Sequence, residues 1–129
     1  MLSVLNILFL ALHSGLIVFN VFGWLWAKTR RWNLVSQILT LGSWVGMGAF
    51  YGWGYCLCTD LHWKIRREMG ITGEPNTFIG FLIQKVTGVL PSRDFVFWLT
   101  ISVFTFSFFA SVILNVRDLR RRPILQARP

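Results

Sequence analysis

Cys56-Leu57-Cys58-Thr59-Asp60-Leu61-His62-Trp63 is where side chains capable of chemistry crowd together in this chain. Two thiols, a carboxylate and an imidazole at this spacing are soft and borderline donors. Copper or zinc held by Cys56, Cys58 and His62 is therefore one chemistry the segment allows, provided that the chain folds back at Leu57. The spacing matches no standard structural zinc pattern. Thiol redox chemistry is a second option, although Cys-x-Cys lacks the two-residue interval of most exchange motifs, and a disulfide between positions two apart is strained. The plainer alternative is structural: Cys56 packs as a small apolar residue, Thr59 or Asp60 caps a helix, and His62 and Trp63 lie at headgroup level.

His13 stands apart, inside an apolar run, about 11 residues or ~17 Å from its start at the helical rise. An ionisable group at that depth is a functional candidate by default, as a haem ligand, a proton relay or a hydrogen-bond partner across helices; the last is expected. Asn6, His13 and Asn20 recur every seventh residue, so they form one stripe that drifts by about 20° per repeat. Lipid cannot satisfy amides or imidazole, and the stripe is expected to face other helices or a partner protein. A haem shared by His13 and His62 of one chain is not expected, because His62 falls in a loop at a very different depth. Ser14 points about 100° away from His13, so the two make no nucleophile–base pair. No Gly-rich phosphate loop is present, and an enzyme is not the leading expectation.

The elements that must position these groups are hydrophobic helices. Of 129 residues, 54% are hydrophobic and only 14% charged, against about 25% charged in soluble domains. Residues 2–27, 34–55 and 95–116 are each long enough to cross ~30 Å of hydrocarbon. The first run has no basic n-region and is followed by Lys28-Thr29-Arg30-Arg31 rather than a small-residue cleavage site, so it reads as a permanent helix.

A net charge of +8 raises nucleic acid as a partner. The basic residues gather at helix ends rather than along one face with stacking aromatics, which favours the lipid bilayer instead. Lys28, Arg30 and Arg31 follow the first run, and Arg117, Arg120, Arg121, Arg122 and Arg128 follow the third. The positive-inside rule then places both segments in the cytoplasm, with the N-terminus and the two cysteines outside, in an oxidising compartment. Arg120, Arg121 and Arg122 are candidates for contact with lipid headgroups.

The second run carries Gly42, Gly46, Gly48, Gly52 and Gly54; the pairs Gly42 with Gly46 and Gly48 with Gly52 permit close approach of another helix. In the third, Phe97, Trp98, Phe104, Phe106, Phe108 and Phe109 are interrupted by Ser102, Thr105, Ser107 and Ser111. Between these runs, Asp60 is expected to cap an interfacial helix over 61–69 ending at Gly70. After a turn at Thr72-Gly73-Glu74-Pro75-Asn76, residues 77–90 are too short to span and are expected to be interfacial or re-entrant. A basic tail, 117–129, completes one membrane domain.

Leu12-His13, Tyr55-Cys56 with Thr59, and Ile65-Arg66-Arg67 together resemble a family of small bacterial inner-membrane proteins known as a domain of unknown function. Phe22-Gly23-Trp24, Tyr51-Gly52, Cys56-x-Cys58-Thr59-Asp60-x-His62-Trp63 and Asn115-x-Arg117-Asp118 look like those of a subgroup, so the resemblance runs from His13 to Asp118. It implies a place in the inner membrane and no particular activity.

The expected architecture is all-α, an integral membrane bundle of three spanning helices with one or two short interfacial or re-entrant ones. The expected role is a non-enzymatic helper or accessory subunit, docked through the polar stripe and the glycines to partner helices or to a second copy. The alternatives are a metal- or haem-binding protein for electron transfer or metal handling, and a thiol redox protein.

Overall fold

A computed structural model describes residues 1–52, 55–73, 75 and 77–126, with side-chain positions as far as Arg121. Gly54, Glu74, Asn76, Arg128 and the side chain of Arg122 lie outside this description. The described residues form helices and connecting turns: α1 (Leu2–Phe22), α2 (Arg30–Gly42), a π-helical turn (Ser43–Met47), α3 (Gly48–Tyr51), α4 (Leu57–Glu68), α5 (Phe78–Thr87) and α6 (Arg93–Gln126). α2, the π turn and α3 make one apolar segment, Arg30–Tyr51. This segment, α1 and the Arg93–Arg121 part of α6 are the three helices long and apolar enough to cross a membrane.

The distribution of polarity is the reverse of that in a water-soluble domain. His62, Gln37, Asn33, Ser107 and Ser111 are the largest fully buried side chains, whereas Phe50, Trp32, Leu12, Phe106 and Ile113 stand exposed. Water would expel such a surface; lipid accepts it, and the polar groups then have to find one another inside.

α1 ends five residues before its apolar run does, and the reason is local. Thr29 Oγ1 donates to the Gly23 carbonyl at 2.7 Å and Arg30 Nε to the Trp24 carbonyl at 2.9 Å. These bonds fold residues 23–29 into a compact turn instead of another helical turn. The segment Arg30–Tyr51 accordingly starts and ends four residues earlier than the expected 34–55. It closes at Gly52, whose φ of 105° is a conformation that suits glycine. α6 is longer than the expected 95–116, because Arg117 to Gln126 continue the helix.

α4 starts at Leu57, with Cys56 as the extended residue before it, so Asp60 lies inside the first turn and does not cap. There its carboxylate suits the positive end of the helix and pairs with Lys64 at 3.0 Å, one turn on. α5 is capped by Thr77, whose Oγ1 accepts from the Gly80 amide at 3.1 Å, and is stopped by Gly88 at φ 75°. Trp63, Phe78 and Phe81 form the small hydrophobic core that joins α4 and α5, with Leu10 and Ile17 of α1 packed against it.

Candidate functional site

The polar stripe of α1 is spent on the chain's own helices. Asn20 is the centre of a clamp: its Nδ2 donates to Thr40 Oγ1 at 2.9 Å, its Oδ1 accepts from Ser36 Oγ at 2.7 Å, and its carbonyl accepts from Gln37 Nε2 at 2.7 Å. Asn33 Nδ2 reaches the Phe19 carbonyl at 2.6 Å and the Asn20 carbonyl at 3.3 Å. The Val21 carbonyl accepts from Trp24 Nε1 and from Ser107 Oγ of α6, at 2.6 and 3.1 Å, and the Phe22 carbonyl from the Leu25 amide at 3.0 Å. The last four carbonyls of a helix have no partner within it, and in a membrane water is not there to replace one. Here all four are satisfied, mostly by side chains from α2 and α6.

That arrangement was only half visible in the sequence. Asn20 stands out in the sequence as polar in an apolar run, but Asn33, Ser36, Gln37 and Thr40 do not, and Asn115 enters only through the family resemblance, apart from Ser107 and Ser111. Both sets repeat at helical spacing, and that periodicity was the available signal. Ser107, Ser111 and Asn115 are all buried on one side of α6; Asn115 Nδ2 donates to the Arg30 carbonyl at 3.1 Å, and Arg30 pairs with Asp118 at 2.7 Å.

Toward the other end, α4 runs antiparallel to α1 rather than flat along the interface. Asn6 Oδ1 accepts from Arg66 at 3.3 Å and from His62 Nε2 at 2.8 Å, while Cys56 Sγ meets His13 Nε2 at 3.7 Å. Arginine only donates, so the shared oxygen is an acceptor and His62 carries its proton on Nε2. Antiparallel packing brings His62 inward and overturns the expectation of very different depths: Phe78 stacks on His13 at 4.0 Å between centroids and lies 5.8 Å from His62. The partner that His13 finds across helices is thus the Cys56 thiol at the start of α4, on Nε2, with a ring face beside it, while its buried Nδ1 has no hydrogen-bond partner among the described residues.

Cys58 donates its S–H to Cys56, and together with burial and the nearby Cys56 charge this pushes its thiol above the ordinary range; burial is the largest cause. Asp60 is held below the usual carboxylate range mainly by its bond to Lys64, and Tyr55 also donates to it at 3.1 Å. Cys56, Cys58, Asp60 and His62 thus part company: the two thiols meet each other and His13, Asp60 pairs outward with Lys64, and His62 bonds Asn6. No group of three or more His, Cys, Asp or Glu among the described residues is disposed to hold a metal ion. Phe78 covers one face of the His13 ring, and Cys56 lies against its Nε2.

The glycines divide as well. A Cβ at Gly42 or Gly46 would meet nothing within 4 Å, so that pair is open. Gly48 is buried within the chain, and Gly52 ends the helix. Arg120 and Arg121 are exposed near the end of the described side chains.

An all-helical protein with three helices of membrane-spanning length, bound together by buried amides and hydroxyls, is the class that fold and site define. The chain belongs to the family described as "Protein of Unknown function (DUF2784)", which it matches over residues 3–117. No curated protein and no solved structure matches it.

Proposed function

We propose that the chain is a non-enzymatic accessory protein of the bacterial inner membrane, with its N-terminus outside and its second span docked against a partner's transmembrane helix. The observation that carries this reading is the open pair Gly42 and Gly46. The polar face of the same span is already consumed by α1, so the glycine pair is what remains for close backbone approach. The π turn at Ser43–Met47 begins directly after Gly42 and contains Gly46, and such turns often mark functional positions in helices. The grouping of Lys28, Arg30, Arg31, Arg117, Arg120 and Arg121 supports a cytoplasmic location for that end. A C-terminal fusion to a reporter active only in the cytoplasm is expected to be active; an inactive, stably inserted fusion would reverse the orientation.

Copurification tests the docking. Tagged full-length chain, extracted in mild detergent, is expected to carry a second membrane protein or a second copy. Gly46→Leu should lose it while leaving the fold intact, since a Cβ there has nothing of the chain itself within 4 Å. A lone wild-type monomer, or a Gly46→Leu variant that keeps its partner, would refute the reading.

The contact of Cys58, Cys56 and His13 favours a second reading, a dithiol that passes electrons to a partner disulfide. The Cys56 thiolate, formed as its proton passes to His13 Nε2, would attack one sulfur of the partner disulfide and expel the other, which takes up that proton. Cys58 would then attack Cys56 Sγ, breaking the mixed disulfide and passing its own proton to the expelled first sulfur, which leaves a reduced partner and a Cys56–Cys58 disulfide that carries the strain of positions two apart. Unchanged thiol oxidation behaviour in Cys58→Ser would eliminate it.

A further inference from the structure

The basic end of the bundle contains a cleft of about 420 Å³, lined by the turn after α1, the start of α2 and one side of α6. Its floor is rigid. Arg30 is held by Asp118 at 2.7 Å and by the Trp24 carbonyl at 2.9 Å, and its own carbonyl accepts from buried Asn115. The one carboxylate in the lining is therefore already matched by Arg30, while Lys28 and Arg31, also in the lining, have no acidic partner among the described residues. α2 begins at the same place with no acidic residue in its first turn and no side-chain cap, so its positive dipole end adds to an uncompensated positive field.

The rim identifies the source of the anion. Leu25, Trp26, Trp32 and Leu119 are exposed around this end of the bundle. Trp26 and Trp32 are amphipathic rings of the kind that gather at headgroup depth, and the apolar flanks of α1, α2 and α6 continue from there into the span. A soluble phosphate has no use for such a rim, but a molecule with a charged head and two acyl chains does. We propose that this cleft binds the phosphodiester headgroup of an anionic glycerophospholipid, with Lys28 and Arg31 as its cations and the acyl chains laid along the exposed apolar flanks. This site is separate from the Gly42–Gly46 face and does not depend on the docking reading.

The test uses the full chain in phosphatidylcholine nanodiscs doped with phosphatidylglycerol, with bound lipid counted by native mass spectrometry after gentle detergent release. The wild type is expected to retain phosphatidylglycerol in preference to phosphatidylcholine. Lys28→Gln with Arg31→Gln should weaken retention by roughly 25-fold, from two cations each contributing about a fivefold factor. Arg120→Gln with Arg121→Gln should have a clearly smaller effect. Ala27→Trp, which fills the cleft without altering charge, should also displace the lipid and guards against a misfolded double variant. Equal retention of both lipids, an unaffected Lys28/Arg31 variant, an equal loss in the Arg120/Arg121 variant, or saturation by inorganic phosphate with no lipid preference would each overturn the assignment.

Discussion

Asn20 places four hydrogen bonds between α1 and the second span through one side chain and one carbonyl. Replacing it by leucine removes the two side-chain bonds and leaves Ser36 and Thr40 without their partner. Single inter-helix bonds in membranes average about 0.6 kcal/mol, and a stranded polar group adds to that, so Asn20→Leu is expected to cost about 2 kcal/mol of unfolding free energy in mixed micelles. Leu12→Ala, on an exposed apolar position of the same helix, should cost far less. The thiols give a pH-dependent test. Burial and the contact with Cys56 raise Cys58 in the fold, so the protonated form is the stabilised one. Its contribution to stability is complete below the unfolded thiol range and is lost as pH rises through the folded value. Maleimide labelling of Cys58 should accordingly lag behind that of an unfolded control at neutral pH, with its rise shifted to the alkaline side. Labelling at the control rate at every pH would show that Cys58 is neither buried nor held by Cys56.

Whether an element is legible in sequence depends here on which solvent its ends meet. The three spans follow from apolar length alone, because ~30 Å of hydrocarbon sets their size. Their ends do not. Leu25, Trp26 and Ala27 extend the apolar run as smoothly as helix would, yet the carbonyls of Gly23 and Trp24 are captured by Thr29 and Arg30, contacts that exist only once the chain has turned. α4 was legible as a short helix, but its antiparallel course along α1 rests on Asn6 meeting His62 and Arg66, 56 and 60 positions away. No local pattern specifies that pairing, and the nearness of His13 to Cys56 follows from it. The turn between α1 and α2 has its own requirement: a Cβ at Gly23 would lie 2.6 Å from the Phe19 carbonyl and 2.9 Å from Asn33 Nδ2. Gly23→Ala should therefore force the clamp apart and lose about 1–3 kcal/mol, the usual range for overpacking, whereas Gly42→Ala should be neutral or slightly stabilising in the isolated chain. Equal melting behaviour of the two alanine variants would contradict the geometry of the turn.

Across the whole molecule, α6 is tied to the other spans at three places on one side: Ser107 to the end of α1, Asn115 to the first residue of α2, and Asp118 to Arg30. The Arg30–Asp118 pair closes the longest of these loops, 88 residues apart, and its position decides its strength. Arg30 is mostly covered and Asp118 about one-third exposed, so the pair lies between a surface bridge worth about 0–1 kcal/mol and a buried one whose rupture costs about 3–5 kcal/mol. Removing only the carboxylate, in Asp118→Asn, leaves Arg30 with the Trp24 carbonyl and an amide oxygen, and is expected to cost little. Arg30→Met should cost more, about 2–3 kcal/mol, because it also frees the turn that ends α1 and leaves Asp118 facing lipid headgroups without its cation. The Arg30→Met/Asp118→Asn double variant should recover part of that loss, since no uncompensated charge remains. A double-mutant cycle by unfolding in mixed micelles reads the coupling directly. Additive single losses would mean that the two charges do not hold α6 against α2, and that the hydrogen bonds of Ser107 and Asn115 alone register the third span against the first two.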